Sequence, residues 1–288
     1  MFVEDHARVR VIERGILLRD AALSSDPPSR IVGMTADADF NRTRQIFVAT
    51  SEPTGDGMAS LTITRYREVN GVLGEGAPIV SGLITTAMAI VPLAVDGNGL
   101  LYVAAPADPA TAPGDSPLGG AILRFDRDGL TPHTNPRPVP AIAHGYTEPT
   151  TLAVDETNKR LWLGGRSPAG PSLARLALDR IGGTWPLQPV LIDATVLSIT
   201  RSNVVVGPAI ALATTLASSS ALVTADASLV VGTLPPDGRS ASLDVLPVGD
   251  APVSVARDGA ETWYVAVLSD RGLGRILMLQ RRAGDQIP

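Results

Sequence analysis

The sequence predicts an all-β protein, and within that class a β-propeller of four-stranded antiparallel blades, on three observations. Its apolar runs are short and rich in Val, Ile, Leu and Thr, with little amphipathic helical periodicity. Turn-forming residues separate them throughout, since the 288-residue chain holds 28 glycines and 24 prolines. One pattern, a strand, a polar turn and a second strand, recurs at the spacing of a propeller blade.

The pattern is plainest at Thr151-Leu152-Ala153-Val154, which turns at Asp155-Glu156-Thr157-Asn158 and resumes as Arg160-Leu161-Trp162-Leu163. Met34-Thr35-Ala36-Asp37-Ala38-Asp39 likewise leads to Gln45-Ile46-Phe47-Val48-Ala49, and Leu93-Ala94-Val95-Asp96-Gly97-Asn98-Gly99 to Leu101-Tyr102-Val103-Ala104. A fainter copy runs from Ile210-Ala211-Leu212 to Ala221-Leu222-Val223. The last runs from Val255-Ala256-Arg257-Asp258-Gly259 to Trp263-Tyr264-Val265. With Phe47, Tyr102, Trp162, Leu222 and Tyr264 as markers, the intervals are roughly 55, 60, 60 and 42 residues. Third strands follow at Leu61-Thr62-Ile63-Thr64-Arg65-Tyr66, Ala121-Ile122-Leu123-Arg124-Phe125, Leu173-Ala174-Arg175-Leu176 and Arg275-Ile276-Leu277-Met278-Leu279. Short fourth strands follow the first three of these, at Ala77-Pro78-Ile79-Val80, Val139-Pro140-Ala141-Ile142 and Pro189-Val190-Leu191-Ile192. Inner strands buried on both faces should be small and apolar, as Leu93-Ala94-Val95 and Leu152-Ala153-Val154 are.

The two ends complement each other. Phe2-Val3-Glu4, Arg8-Val9-Arg10-Val11-Ile12 and Leu17-Leu18-Arg19-Asp20 read as the last three strands of a blade without its first; the C-terminal copy has a first, second and third strand. Counted separately the ends give six blades, merged five, and pairing of the two termini would close the ring. We expect one domain over residues 1–288, with blades near 1–23, 31–82, 84–142, 148–194, 206–248 and 252–282. The Pro- and Gly-rich stretch 105–117 reads as a surface loop, and most of 182–207 resists assignment.

Composition narrows the function. Hydrophobic residues make up 44% and charged residues 18%, enough for a sizeable core, and the formal net charge of −5 is scattered, which disfavours nucleic acid as a partner. The absence of cysteine excludes disulfides, thiolate metal sites and cysteine nucleophiles. No apolar run reaches the roughly 18 residues of a membrane span. The beginning, Met1-Phe2-Val3-Glu4-Asp5-His6, is not a signal peptide, so a soluble chain is expected.

Reactive side chains are few. The three histidines are His6, His133 and His144; the first two sit in polar loops and read as solvated. His144 and Glu148 are weak metal or acid–base candidates, two ligands short of a site, so no metal is expected. Gly165-Arg166-Ser167-Pro168-Ala169-Gly170 misses the nucleophile elbow by one residue and reads as a turn. Asp37-Ala38-Asp39 and Asp96-Gly97-Asn98-Gly99 lack the spacing of a calcium loop and read as Asx turns. No nucleotide-binding glycine motif is present, and Asn41-Arg42-Thr43 is a glycosylation sequon by letters only.

Taken in order, Phe2-Val3-Glu4, Arg8-Val9-Arg10-Val11-Ile12, Gly33-Met34, Asp39-Phe40, Gly71-Val72-Leu73-Gly74, Leu93, Tyr102-Val103-Ala104, Gly120-Ala121-Ile122-Leu123-Arg124 and Gly274-Arg275-Ile276-Leu277-Met278-Leu279 resemble the soluble PQQ-dependent glucose/sorbosone (aldose sugar) dehydrogenase family. The resemblance spans nearly the whole length and is weakest between residues 181 and 241. It implies six blades, PQQ and calcium as cofactors, a further strand and often a signal peptide upstream, and so a periplasmic or secreted protein. It also implies a catalytic His before the strand matching Leu93-Ala94-Val95, the base for the sugar C1 hydroxyl while hydride passes to the quinone. Met88 stands there, and methionine takes no proton. The family's Arg-Asn-Pro-Gln, which meets quinone and substrate oxygens, aligns with Thr147-Glu148-Pro149-Thr150, so a guanidinium has become a hydroxyl and an amide an acid. The Gln or Arg before the first complete inner strand falls near Ser29, and basic positions before the last fall near Pro252-Val253-Ser254. The family's Glu-His-Gly reads Gly164-Gly165-Arg166-Ser167.

The expectation is therefore a catalytically degenerate member of this scaffold, without cofactor, that binds an unknown protein or small molecule around Ser29, Met88, Thr147, Glu148, Thr150 and Ser254. The alternatives are a PQQ-dependent aldose/sorbosone oxidoreductase with a displaced site and a lactonase-like hydrolase.

Overall fold

A computed structural model describes residues 1–86, 89–106, 120–145, 148–156, 159–167 and 170–178, and C-terminal to these the strands between Gln188 and Gln280. Among the described residues nearly all regular secondary structure is strand. The first group is β1 (Phe2–Glu4), β2 (Arg8–Arg10), β3 (Ile12–Glu13), β4 (Ile16–Leu17) and β5 (Leu23–Ser24). The second is β6 (Arg30–Ala36), the single turn α1 (Phe40–Thr43), β7 (Gln45–Gly55), β8 (Met58–Val69) and β9 (Val72–Thr86). The third is β10 (Leu93–Val95), β11 (Leu101–Ala104), β12 (Ala121–Phe125) and β13 (Ala141–His144); the fourth is β14 (Glu148–Asp155), β15 (Arg160–Ser167), β16 (Gly170–Ala177) and β17 (Gln188–Pro189). Then come β18 (Leu191–Ile192), β19 (Leu197–Val206), β20 (Ala209–Leu216), β21 (Asp226–Thr233) and β22 (Ser240–Pro247), and finally β23 (Ala251–Asp258), β24 (Thr262–Leu268) and β25 (Gly274–Gln280).

The second, third and fourth groups are each a four-stranded antiparallel meander in chain order. Their strands share one cross-strand row: a small residue, then an aromatic, then an arginine. It reads Thr35, Phe47, Arg65 in the second sheet, Ala94, Tyr102, Arg124 in the third and Ala153, Trp162, Arg175 in the fourth. The last sheet keeps the first two members, Ala256 and Tyr264, and has Met278 third. Four of the five marker residues thus fall in equivalent register; Leu222 lies outside the described residues.

Alternation along the strands explains the packing. In the third sheet Val95, Leu101, Val103, Leu123 and Phe125 face the second sheet, while Ala94, Tyr102, Ala104, Ile122 and Ile142 face the fourth. Successive side chains point to opposite faces, so a sheet apolar at every position is covered on both. Phe47, Tyr102 and Trp162 are fully buried, each contributing roughly 2–3 kcal/mol of burial. The first strands of neighbouring sheets also abut: the Val91 N–H donates to the Val32 carbonyl at 2.9 Å, and a Cβ on Gly33 would lie 2.0 Å from the Val91 carbonyl oxygen.

Two regions differ from expectation. The apolar pair Leu17-Leu18 is not a third strand of the first sheet. Arg14 and Gly15 take φ of 50° and 80°, which closes a tight β3–β4 hairpin with Leu17 opposite Ile12. The third strand on β2 is β5 instead. The stretch 182–207 carries β17, β18 and β19, and the fifth sheet runs β18-β22-β21-β20-β19 with β18 parallel to β22. Ile210-Ala211-Leu212 is therefore in the second strand of that sheet, not the first, and 221–223 lie outside the described residues.

The second sheet is also taller than its neighbours. β6 ends its pairing at Arg30 opposite Ser51, and β7, β8 and β9 continue past it as a three-stranded arm. On one face of the arm Ser51, Ala59, Leu61 and Thr85 are buried; on the other the row Glu52, Ser60, Ile84 ends with Ile84 54% exposed.

Candidate functional site

β6, β10 and β14 stand side by side, each the first strand of its sheet. Their leaving ends are adjacent and their opposite ends share one face. Each leaves through a buried aspartate: Asp37, Asp96 or Asp155. The Asp96 Oδ1 accepts the backbone N–H groups of Asn98 and Leu100, both at 2.9 Å, and its Oδ2 accepts the Tyr102 hydroxyl at 3.0 Å. Asp37 accepts the Asp39 N–H at 2.9 Å and pairs with Arg127 at 3.2 Å, reaching from the third sheet to the second. Glu156, beyond β14, accepts the Gly97 N–H of the preceding turn. The Asx turns read from sequence are present, and their carboxylates are committed to the backbone and to the neighbouring sheet. Burial first, then the charge of Asp96, raises the Tyr102 hydroxyl pKa far above the ordinary phenol range. Arg124, 3% exposed, extends this cluster to Asn135 Oδ1 at 2.6 Å and Thr134 Oγ1 at 3.2 Å. It pins from behind the outer loop that makes a shallow depression with His133. That loop joins β12 to β13, away from the inner strands.

The described residues of the predicted site fall toward the entering ends. Ser29, half-buried, precedes β6; its N–H donates to the Asp26 carbonyl at 3.0 Å, and its carbonyl accepts the Ser25 hydroxyl at 3.0 Å. Glu148 opens β14 exposed, opposite Arg166 in register. Thr150 is half-buried, with Oγ1 shielded from solvent and without a hydrogen-bond partner. Ser254 lies in β23, opposite Ala266. Met88 and Thr147 lie outside the described residues. His144 ends β13, exposed and opposite Ala121. Among the described residues no three His, Asp or Glu side chains gather as metal ligands. His6 is not a solvated histidine: half-buried, it donates from Nδ1 to the Ile31 carbonyl at 3.0 Å and accepts the Ile31 N–H at 2.7 Å, which ties the first sheet to β6.

Two features escaped sequence reasoning. Arg30, half-buried, starts β6 beside Ser29 and so brings a guanidinium to the same end. Three inner strands also bulge at one place: the register skips Val32 in β6, Thr150 in β14 and Val253 in β23, each five residues before the aspartate that ends the strand. A bulge re-aims a side chain and is common beside binding sites. The constant offset to Asp37, Asp155 and Asp258 was the available signal.

No family model matches the chain, and no curated protein does. Solved structures do. The PQQ-bound aldose sugar dehydrogenase of Streptomyces coelicolor matches with a TM-score of 0.69 at 17% identity, over 96% of this chain and 88% of that one. The soluble aldose sugar dehydrogenase of Escherichia coli, in its apo-form, matches at 0.68 and 16%, over 96% and 91%. A chain of the nidogen/laminin complex matches at 0.57 and 13%, over 96% and 92%. Over nearly its whole length this chain has the β-propeller fold of the PQQ-dependent aldose and glucose sugar dehydrogenases, at identities that speak for the fold alone.

Proposed function

We propose that this protein is a catalytically degenerate six-bladed propeller that binds a small molecule or a protein at the entering ends of its inner strands, without redox chemistry of its own. One observation carries the reading. On a sugar-dehydrogenase-like fold, the described positions of the predicted pocket hold three hydroxyl residues, Ser29, Thr150 and Ser254, and one exposed carboxylate, Glu148. Removal of a hydroxyl proton needs a base that titrates near neutrality, and a serine or threonine hydroxyl does not. An anionic quinone needs cationic or N–H partners, and Glu148 repels it. These residues do not suit PQQ. They suit a neutral or cationic ligand, which Thr150 can meet with a donor and an acceptor. The chain of the nidogen/laminin complex is a precedent for this fold within a protein assembly.

A second reading, an oxidoreductase with a displaced quinone site, is favoured by Arg30 alone. Titration with PQQ, together with an aldose-dependent dye-reduction assay, separates the two. We expect neither saturable quinone binding nor dye reduction. Micromolar PQQ binding that Arg30→Ala abolishes, or sugar-dependent reduction of the dye, would establish the oxidoreductase instead.

A further inference from the structure

We propose that the outer edge of the arm is a self-pairing strand, through which two copies of this chain join their second sheets into one continuous antiparallel sheet. β9 is the last strand of its sheet, bonded among the described residues to β8 on one side only. Such an edge offers unpaired N–H and C=O groups, and natural sheets blunt it with charge, proline, a bulge or a cover.

The lower part of β9 carries these devices. Glu75 interrupts it with φ 53°, and Pro78 lacks a donor. The turn at Gly129 lies over it so closely that a Cβ there would stand 1.8 Å from the Ile79 carbonyl oxygen. Gly82, with φ 76°, makes a last bulge. Beyond it Leu83-Ile84-Thr85-Thr86 has none of them, and no charged residue occurs anywhere from 77 to 95. Ile84, 54% exposed, lies in the middle of this stretch.

The occupant that fits is a second copy. A two-fold axis normal to the sheet through Ile84 keeps each residue on its own face. Ile84 then opposes Ile84 of the second copy, and Leu83 opposes Thr85. The charged residue in that row is Glu52, two strands inward. The two Glu52 side chains would be five strand spacings apart, about 24 Å, well beyond the ~8 Å screening length of physiological salt. Nothing in the edge repels its own image. A foreign partner would need a charge or a pocket to select it, and the edge supplies neither.

Sedimentation equilibrium of the full chain into the high micromolar range tests this, with Ile84→Lys and Ile16→Lys beside the wild type. We expect a monomer–dimer equilibrium for the wild type. Ile84→Lys should weaken it about tenfold or more, because two ammonium groups then face each other across the axis. Ile16→Lys, at a side chain 68% exposed on the β3–β4 hairpin, should leave it unchanged. Far-UV circular dichroism and thermal melting of both variants should match the wild type, and amide exchange at 83–86 should slow as concentration rises. A wild type that stays monomeric overturns the proposal, as does an Ile84→Lys chain that dimerises equally well. So does a monomer whose residues 83–86 are protected only by an added extended peptide.

Discussion

The two ends of the inner strands make the instructive comparison. At the leaving end, Asp37 and Asp96 are buried and bonded to named donors, and the side chains that meet them are Tyr102 from β11 and Arg127 from the turn after β12. At the entering end Glu148 is exposed, and the Thr150 hydroxyl is shielded yet bonded to nothing. One set of strands thus carries, at one end, polar groups that hold the sheets together and, at the other, a threonine hydroxyl that is shielded without a bond. A buried polar group without a partner costs stability, so Thr150 is the residue at which the proposed binding role can be tested against folding. The contrast predicts opposite signs for polar-to-apolar changes at the two ends.

The largest effect belongs to the leaving end. Asp96→Ala strands two backbone N–H groups and the buried Tyr102 hydroxyl at once. With water reaching part of the turn, the loss should be about 3 kcal/mol. Urea unfolding measures it, and a loss under about 1 kcal/mol would place the turn's stability elsewhere. A pH effect follows from the same cluster. Folding raises the Tyr102 pKa, so above the unfolded phenol value the unfolded chain releases a proton that the folded chain keeps. The Tyr102 contribution is intact below about pH 10 and is lost as pH rises beyond it. Tyr102→Phe should flatten that alkaline decline while lowering stability at pH 7 through the lost hydrogen bond. Equal slopes in the two proteins would show that another group governs the alkaline limb.

Much of the ring was legible because its repeat is chemical as well as periodic. Phe47, Tyr102 and Trp162 could be aligned by eye, since each follows an apolar strand and an Asp turn, and the register shows why they recur. The fifth sheet was not legible. Its edge strand β19 opens Leu197-Ser198-Ile199-Thr200-Arg201-Ser202-Asn203, where polar residues break the apolar run. The β3–β4 hairpin was misread because Leu17-Leu18 has a strand's composition, and only the left-handed Arg14-Gly15 turn redirects it. His6 was misread because its partner, Ile31, is 25 residues away. At the candidate site, Ser29, Glu148 and Thr150 lie toward the entering ends of their strands. The bulge at Thr150 is a relation between two strands, and its one mark in the sequence is the five-residue offset to Asp155.

Thr150→Val is the smallest change and the sharpest test of the comparison. Valine keeps the shape of threonine and replaces the hydroxyl with a methyl. At a satisfied site that exchange destabilises; at Thr150 the hydroxyl has no partner to lose. The folded chain is then relieved of a desolvated, unbonded oxygen, and stability should rise by about 1 kcal/mol in urea unfolding. The same variant should bind the protein's ligand more weakly, since an acceptor and a donor have left the bulge. A gain in stability with a loss of binding is the signature of a residue kept for recognition. A loss of stability would mean that the Thr150 hydroxyl belongs with the aspartates at the far end of the strand, as part of the scaffold.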